Sequence, residues 1–188
     1  MSEFNGLADR YFTKLLALLS VQNRQEIDVA VEVIAQAWKS GNQIIVFGNG
    51  GSAMSALHFC TDWAKSISMK TGRPFLARTL VDNMGLLTAY ANDVSFADVF
   101  SEQLKVVLKP GDVALAISGS GNSENVIRAV EYANEIGAVT IAMCGYRGGK
   151  LKGMARHVIW ADVDDMQLAE DLHMIFGHIV MQGLCEMV

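Results

Sequence analysis

Apolar residues recur along the first forty positions at helical spacing, in two pieces: Leu7, Tyr11, Leu15 and Leu18, then Ile27, Val31, Ile34 and Trp38. Asn23, followed three residues later by Glu26, is a capping-box variant that restarts the helix between them. From Gly41 onward the pattern changes to short continuous apolar runs, such as Ile44-Ile45-Val46-Phe47 and Val113-Ala114-Leu115-Ala116-Ile117, separated by longer amphipathic stretches. These runs predict strands at about 43–47, 75–80, 113–117, 138–143 and 157–161. Helices are predicted at about 52–67, 82–91, 96–107, 122–136, 149–155 and from 166 to the end. Strands that are apolar throughout are buried on both faces, and β alternating with α at this spacing implies a parallel sheet wrapped by helices. The expected fold class is α/β, a three-layer αβα sandwich. It forms a single domain over 1–188, with an amino-terminal helical hairpin at 1–40 and an α/β core at 41–188. A hairpin at the edge of one sheet cannot bury both its faces there, so it is a candidate for packing against another subunit.

Composition narrows the field of partners. The chain has 188 residues and is 51% apolar, with a mean hydropathy of +0.25, which is high for a soluble monomer and fits a subunit interface. A net charge of −5, without a lysine or arginine run, argues against nucleic acid as a ligand. The first residues, Met1 to Gly6, lack a basic-then-apolar signal, and no apolar run approaches the ~20 residues that span a bilayer. The expectation is a cytoplasmic protein with no membrane partner. Cys60, Cys144 and Cys185 form no C-x-x-C pair and read as small buried hydrophobes in a reducing compartment.

Two small-residue turns carry the candidate chemistry. Gly48-Asn49-Gly50-Gly51-Ser52-Ala53 follows one apolar run, and Ser118-Gly119-Ser120-Gly121-Asn122-Ser123 follows another, each ahead of a helical stretch. In an open parallel sheet such turns lie at the carboxyl edge, where ligands bind. The first turn of a helix presents unpaired N–H groups at the positive end of the dipole, and glycine lets that backbone approach an anion closely. The turns match neither the G-x-x-x-x-G-K-[ST] nucleotide loop nor the G-x-G-x-x-G dinucleotide fingerprint. Phosphate on a small molecule is the expected ligand, with Asn49, Gly50, Gly51, Ser52, Ser118, Gly119, Ser120 and Ser123 as its contacts.

The helix at 52–67 also carries His58 and Asp62 at i, i+4, on one face and within reach of one ion or one substrate. The last helix holds Glu170, Asp171, His173 and His178. His173 and His178 lie about 140° apart around it, so only one can face a shared site. His157, inside a strand run, reads as structural, as do the methionines of the last helix; Asp164-Asp165 reads as that helix's cap.

The stretches Gly-Asn-Gly-Gly-Ser-Ala at 48–53, Ala-Leu-His-Phe at 56–59, Leu-Thr-Ala-Tyr-Ala-Asn-Asp at 87–93, Ala-Ile-Ser-Gly-Ser-Gly-Asn-Ser at 116–123 and Leu-His-Met-Ile-Phe-Gly-His at 172–178 together resemble the sugar isomerase (SIS) domain family, and within it the phosphoheptose isomerases. The resemblance implies a flavodoxin-like arrangement of the sheet and a homotetramer with active sites near subunit interfaces. It implies isomerisation of a sugar phosphate, sedoheptulose 7-phosphate to D-glycero-D-manno-heptose 7-phosphate, through an enediolate, for surface heptose such as that of lipopolysaccharide. In that family the serine-rich loop holds the phosphate, while Asn49, Ser52 and Asp93 match the sugar contacts. Asp62 matches the enediol base and His178 its acid–base partner. His58, Asp62, Glu170 and His178 match the ligands with which some members bind Zn2+.

The departures are specific. Asp62 stands where the family has the longer glutamate, and Glu170 stands where it has glutamine. Ser66 replaces an arginine, and Gln167, matched to a substrate contact, replaces an aspartate. Geometry adds a tension, because Glu170 and His178 are eight residues apart, about 12 Å along a helix and about 80° around it. These differences keep two other readings open: isomerisation of a different phosphosugar, and a non-catalytic phosphosugar-binding regulator like the relative that binds the bacterial replication initiator. The carboxylate at 62 and the histidine at 178 favour an enzyme.

Overall fold

The computed structural model describes residues 4–187; the first three residues and Val188, parts of the domain and amino-terminal expectations above, lie outside the described residues. Helices α1 (Leu7–Ser20) and α2 (Arg24–Lys39) come first, followed by β1 (Ile44–Gly48) and α3 (Gly51–Asp62). Next come α4 (Ser68–Thr71), β2 (Ala77–Thr79), α5 (Met84–Asp93), α6 (Val99–Val107), β3 (Val113–Ser118) and α7 (Glu124–Glu135). The chain closes with β4 (Val139–Cys144), α8 (Leu151–Met154), β5 (His157–Trp160) and α9 (Met166–Cys185). The restart after α1 is made as its sequence implies: the Asn23 side chain accepts the Glu26 N–H. Asp165 caps α9 by accepting the Leu168 N–H.

The five strands form one parallel sheet in the order β2-β1-β3-β4-β5. Alternate residues of the central strands enter two cores. Ile44, Val46, Leu115, Ile117, Ile141 and Met143 face Ile34 and Trp38 of α2, Phe59 of α3 and Phe176 of α9. Ile45, Phe47, Ala114, Ala116 and Ala142 face Phe100 and Leu104 of α6 and Val126 and Val130 of α7. This is the expected three-layer sandwich, and burial on both faces explains why the strands read as continuous apolar runs. The order is the flavodoxin-like one, so the chain leaves β1 and β3 in opposite directions and a crevice opens between their carboxyl ends.

Two details depart from the linear pattern. The helix predicted over 52–67 contains a π-helical turn at Trp63–Ile67, directly after Asp62, before it resumes as α4. The strand predicted at 75–80 keeps only Ala77–Thr79. The amino-terminal helices divide their work. α2 lies in the first core, whereas α1 leans on α9 through Leu18, Leu15 and Tyr11 and leaves Phe12 and Leu16 60% and 67% exposed.

Candidate functional site

The crevice between β1 and β3 holds both small-residue turns. Asn49, Gly51, Ser52, Ser118, Gly119, Ser120 and Ser123 line one cavity with Met166 and Glu170 of α9. The strands set this convergence: Phe47 pairs with Ala116 and Gly48 with Ile117, so the two turns leave adjacent strands side by side. Ser118 Oγ donates to Ser123 Oγ at 3.3 Å, and the Ser120 hydroxyl accepts the Asn122 N–H at 3.2 Å. The hydroxyls therefore crowd the start of α7. Gly50, with φ of 54°, is the residue that turns the chain into α3. Close approach explains two further glycines. A Cβ on Gly51 would lie 2.8 Å from Glu170 Oε1, and one on Gly119 would run into Met166 Sδ.

The second centre lies further along α3 and α9, which run side by side. His58 Nε2 and His178 Nε2 are 3.1 Å apart, and His58 Nε2 is 3.2 Å from Asp62 Oδ2. One ligand atom from each of the three residues falls within 4.8 Å of the others, a group that could hold a metal ion. The donor separations suit zinc, because ligands about 2.0–2.1 Å from a tetrahedral ion lie about 3.3 Å from one another. Three protein donors with a further position free is the arrangement of a catalytic zinc site.

Packing below the surface holds this centre in register. The buried Trp63 indole N–H, in the π turn, donates to the Gly177 carbonyl at 2.9 Å. Phe59 stacks on Trp63 with ring centroids 5.2 Å apart, and it fills the space over Gly177 where a Cβ would sit. Phe59 and Trp63 each follow a site residue on α3, and Gly177 precedes His178 on α9. The histidines meet because Gly177, having no side chain, lets α9 close directly onto the Phe59 ring of α3.

The structure sorts the remaining candidates. Glu170 is in the loop cavity and outside the His58–Asp62–His178 group. Gln167 and Asp93 are exposed, and Asp93 accepts a hydrogen bond from the neighbouring Asn92 side chain. Neither is among the residues that line the loop cavity. Of the two α9 histidines, His178 meets His58, while His173 is 1% exposed and neither ring nitrogen has a well-formed hydrogen bond; burial, opposed more weakly by the nearby Cys144 backbone, pushes it down from 6.5 to about 4. His157 sits half-buried on the edge strand, and burial lowers it too. Desolvation pushes the Cys60 and Cys144 thiols up to about 12 and 11, which keeps them protonated and inert.

Sequence reasoning missed Asn125, Trp63 and Met166. Nothing local marks Asn125 or Met166 as a neighbour of the turns. Gly177 did carry a signal: a glycine inside a strongly helical stretch, beside a candidate histidine, points to close packing.

Comparison with known proteins agrees with this architecture. The SIS domain family model matches residues 10–145. The phosphoheptose isomerase of Aquifex aeolicus is 39% identical over 173 residues, covering 92% of this chain and 90% of the relative. A probable phosphoheptose isomerase of Thermoplasma acidophilum is 42% identical over 158 residues, covering 84% and 86%. Among solved structures, the phosphoheptose isomerase of Neisseria gonorrhoeae superposes with a TM-score of 0.88 at 28% identity, covering 98% of this chain and all of that one. The chain belongs to the SIS domain family and, within it, to the phosphoheptose isomerases.

Proposed function

We propose that the protein isomerises sedoheptulose 7-phosphate to D-glycero-D-manno-heptose 7-phosphate, as one SIS domain spanning the chain. The observation that carries this reading is the placement of two unlike centres on one pair of helices. Seven residues separate Gly51 from His58 and eight separate Glu170 from His178, which puts the centres about 10–12 Å apart along the helices. That span is comparable to the distance from the phosphate to the reacting carbons of an extended heptose phosphate. A pentose phosphate is shorter by two carbons and would reach the second centre poorly. The non-catalytic alternative leaves the convergence of His58, Asp62 and His178 without a use.

In this mechanism Ser118, Ser120 and Ser123 donate hydroxyl hydrogen bonds to the phosphate, with the free N–H groups at the start of α7 beneath it. Asn49, Gly50, Gly51 and Ser52 bracket the sugar from the other turn. Asp93 and Gln167, both exposed in a single copy, are the further substrate contacts that the family resemblance implies. Asp62 Oδ2 faces His58, and Oδ1 takes the proton from C1 of the open-chain ketose. The C1–H electrons form the C1–C2 double bond of a cis-enediolate, and the carbonyl electrons move to O2. Asp62 then returns the proton to C2, while His178 carries the hydroxyl proton from O1 to O2 and assists ring opening. His58, Asp62 and His178 would hold Zn2+, with Glu170 a further ligand only if its side chain leaves the loop cavity. The metal would supply Lewis-acid polarisation of the carbonyl and charge stabilisation for the enediolate.

The exposed Phe12 and Leu16 of α1 support a homotetramer, in which such a face is covered by a second copy. A cytoplasmic location fits the phosphorylated substrate, and among the described residues no helix is long and apolar enough to cross a membrane. The product would feed the synthesis of surface heptose such as that of lipopolysaccharide.

The deciding experiment follows sedoheptulose 7-phosphate by NMR with zinc-replete protein. The expected product is the aldoheptose 7-phosphate, formed about 1,000-fold more slowly by Asp62→Ala, within the range for loss of a general base. Sugar-phosphate binding without turnover in the wild-type protein would sink the isomerase reading and favour a regulator.

A further inference from the structure

The two ligand turns leave different strands, and no covalent link sets the distance between their tips. β1 and β3 lie about 4.8 Å apart while they remain paired. Beyond Gly48 and Ile117 the β1–β3 ladder ends. The serine-rich turn is tied on its far side, where Gly119 O accepts the Gly145 N–H at 2.8 Å and Gly121 O accepts the Leu151 N–H at 3.1 Å, bonds that lead away from the turn after β1. One side-chain contact spans the gap. Asn49 Nδ2 donates to Asn125 Oδ1 at 2.8 Å, and Asn125 Nδ2 donates to Asn49 Oδ1 at 3.0 Å. Asn49 belongs to the turn after β1, while Asn125 is the second residue of α7, directly behind the serine-rich turn, and is 2% exposed.

We propose that Asn125 is a positioning residue that clamps the two turns at the separation a sugar phosphate needs; this rests on the function proposed above. The chemistry of the pair is restrictive. A primary amide offers two N–H donors and a carbonyl with two lone pairs, so only a partner with both a donor and an acceptor completes the reciprocal contact. An aspartate at 125 keeps the bond from Asn49 Nδ2 and sets oxygen against oxygen across the other. The clamp uses one N–H and one lone pair of Asn49. The second N–H and lone pair remain to meet the sugar, oriented by the clamp instead of being fixed on binding, which is how preorganisation raises affinity.

A clamp makes a prediction that a merely structural asparagine does not. It matters for a ligand that touches both turns and is nearly irrelevant to one held by the serine-rich turn alone. Asn125→Ala should weaken sedoheptulose 7-phosphate binding about tenfold, the equivalent of about 1.4 kcal/mol, and raise KM more than it lowers kcat. Inorganic phosphate should bind it within about twofold of wild type. Asn125→Asp should lose at least as much substrate affinity as Asn125→Ala although it is the same size. The double variant Asn49→Ala/Asn125→Ala should be no weaker than Asn49→Ala alone, because the two residues act as one unit. Wild-type substrate affinity in Asn125→Ala, or a proportional loss of substrate and inorganic phosphate, would overturn the clamp. So would additive losses in the double variant.

Failure of the function reading is separable from failure of the clamp. Wild-type turnover of sedoheptulose 7-phosphate tests the first. Hydrogen exchange at the Asn49 side-chain amide, followed by NMR without ligand, tests the second: exchange should be slow in the wild type and fast in Asn125→Ala, and fast exchange in both would remove the clamp whatever the substrate.

Discussion

The two ends of the α3–α9 seam are built on opposite principles. The loop end offers backbone and neutral hydroxyls, and its shape comes from close approach: Gly51 against Glu170, Gly119 against Met166, Asn49 against Asn125. The histidine end gathers titratable side chains that touch mainly one another, with side-chain exposures of 44% for His58 and 31% for Asp62. Its order is borrowed from the packing underneath, where Phe59, Trp63 and Gly177 lock the helices together. A phosphate needs a fixed nest of donors, and a backbone nest is rigid by construction. Proton transfer needs groups that change charge, and these stay near water while their positions are fixed from below.

If the two ends are independent, pushing the helices apart at the histidine end should leave the loop end intact. Gly177→Ala should gain about 1 kcal/mol in helix propensity. The added methyl, however, overlaps three atoms of the Phe59 ring, which is 1% exposed and has Trp63 stacked behind it, so it cannot swing aside. Overpacking costs about 1–3 kcal/mol, and so close an overlap belongs at the upper end, so the variant should be less stable by about 2 kcal/mol in urea unfolding. Zinc affinity should fall with it, while inorganic phosphate binding to the folded protein should be unchanged. Loss of phosphate binding in step with zinc would mean that the two ends are one rigid unit.

The contrast also explains how much could be read from the sequence. The sandwich was legible because its central strands are buried on both faces and announce themselves as apolar runs. The loop end was legible for a similar reason, since Gly50, Gly51 and the serines are local signals that need no partner to be recognised. At the histidine end only His58 and Asp62 share a helix, and their i, i+4 spacing was visible. The choice of His178 over His173 depended on how α9 rolls against α3, which helical spacing alone leaves open. Glu170 could not be placed from the sequence. Matched with the metal ligands, it lies in the loop cavity beside Gly51, two turns of α9 before His178. The π turn after Asp62 and the Asn49–Asn125 pair were invisible because each depends on residues far away in the chain.

His173 lies between the two ends on α9 and ties the stability of the seam to pH. Its ring is buried, and burial, opposed more weakly by the Cys144 backbone, lowers it to about 4 from 6.5. The folded state therefore holds the neutral form, and between pH 6.5 and about 4 the unfolded chain binds more protons. Stability from this residue is fully present above pH 6.5 and declines as pH falls, by about 2 kcal/mol between pH 7.5 and 5. Urea midpoints should show this decline in the wild type and a shallower one in His173→Leu, measured as a difference between the two proteins so that other groups cancel. Equal slopes would mean that the imidazole reaches water or a partner in solution.

The smallest expected effect tests the charge at the loop end. Glu170 places a carboxylate in a cavity otherwise lined by neutral groups, next to the start of α3, where the helix dipole favours a negative charge. Under the function proposed above, bound phosphate shares that cavity with it. Like charges at this range, partly screened by water, cost about 1 kcal/mol. Glu170→Gln keeps the shape and removes the charge, so inorganic phosphate should bind a few-fold more tightly, with the gain shrinking as salt is added. The same substitution should leave zinc affinity within about twofold if His58, Asp62 and His178 hold the ion by themselves. A large loss of zinc affinity would instead show that Glu170 swings out of the loop cavity to join them, and the two ends of the seam would then share a residue.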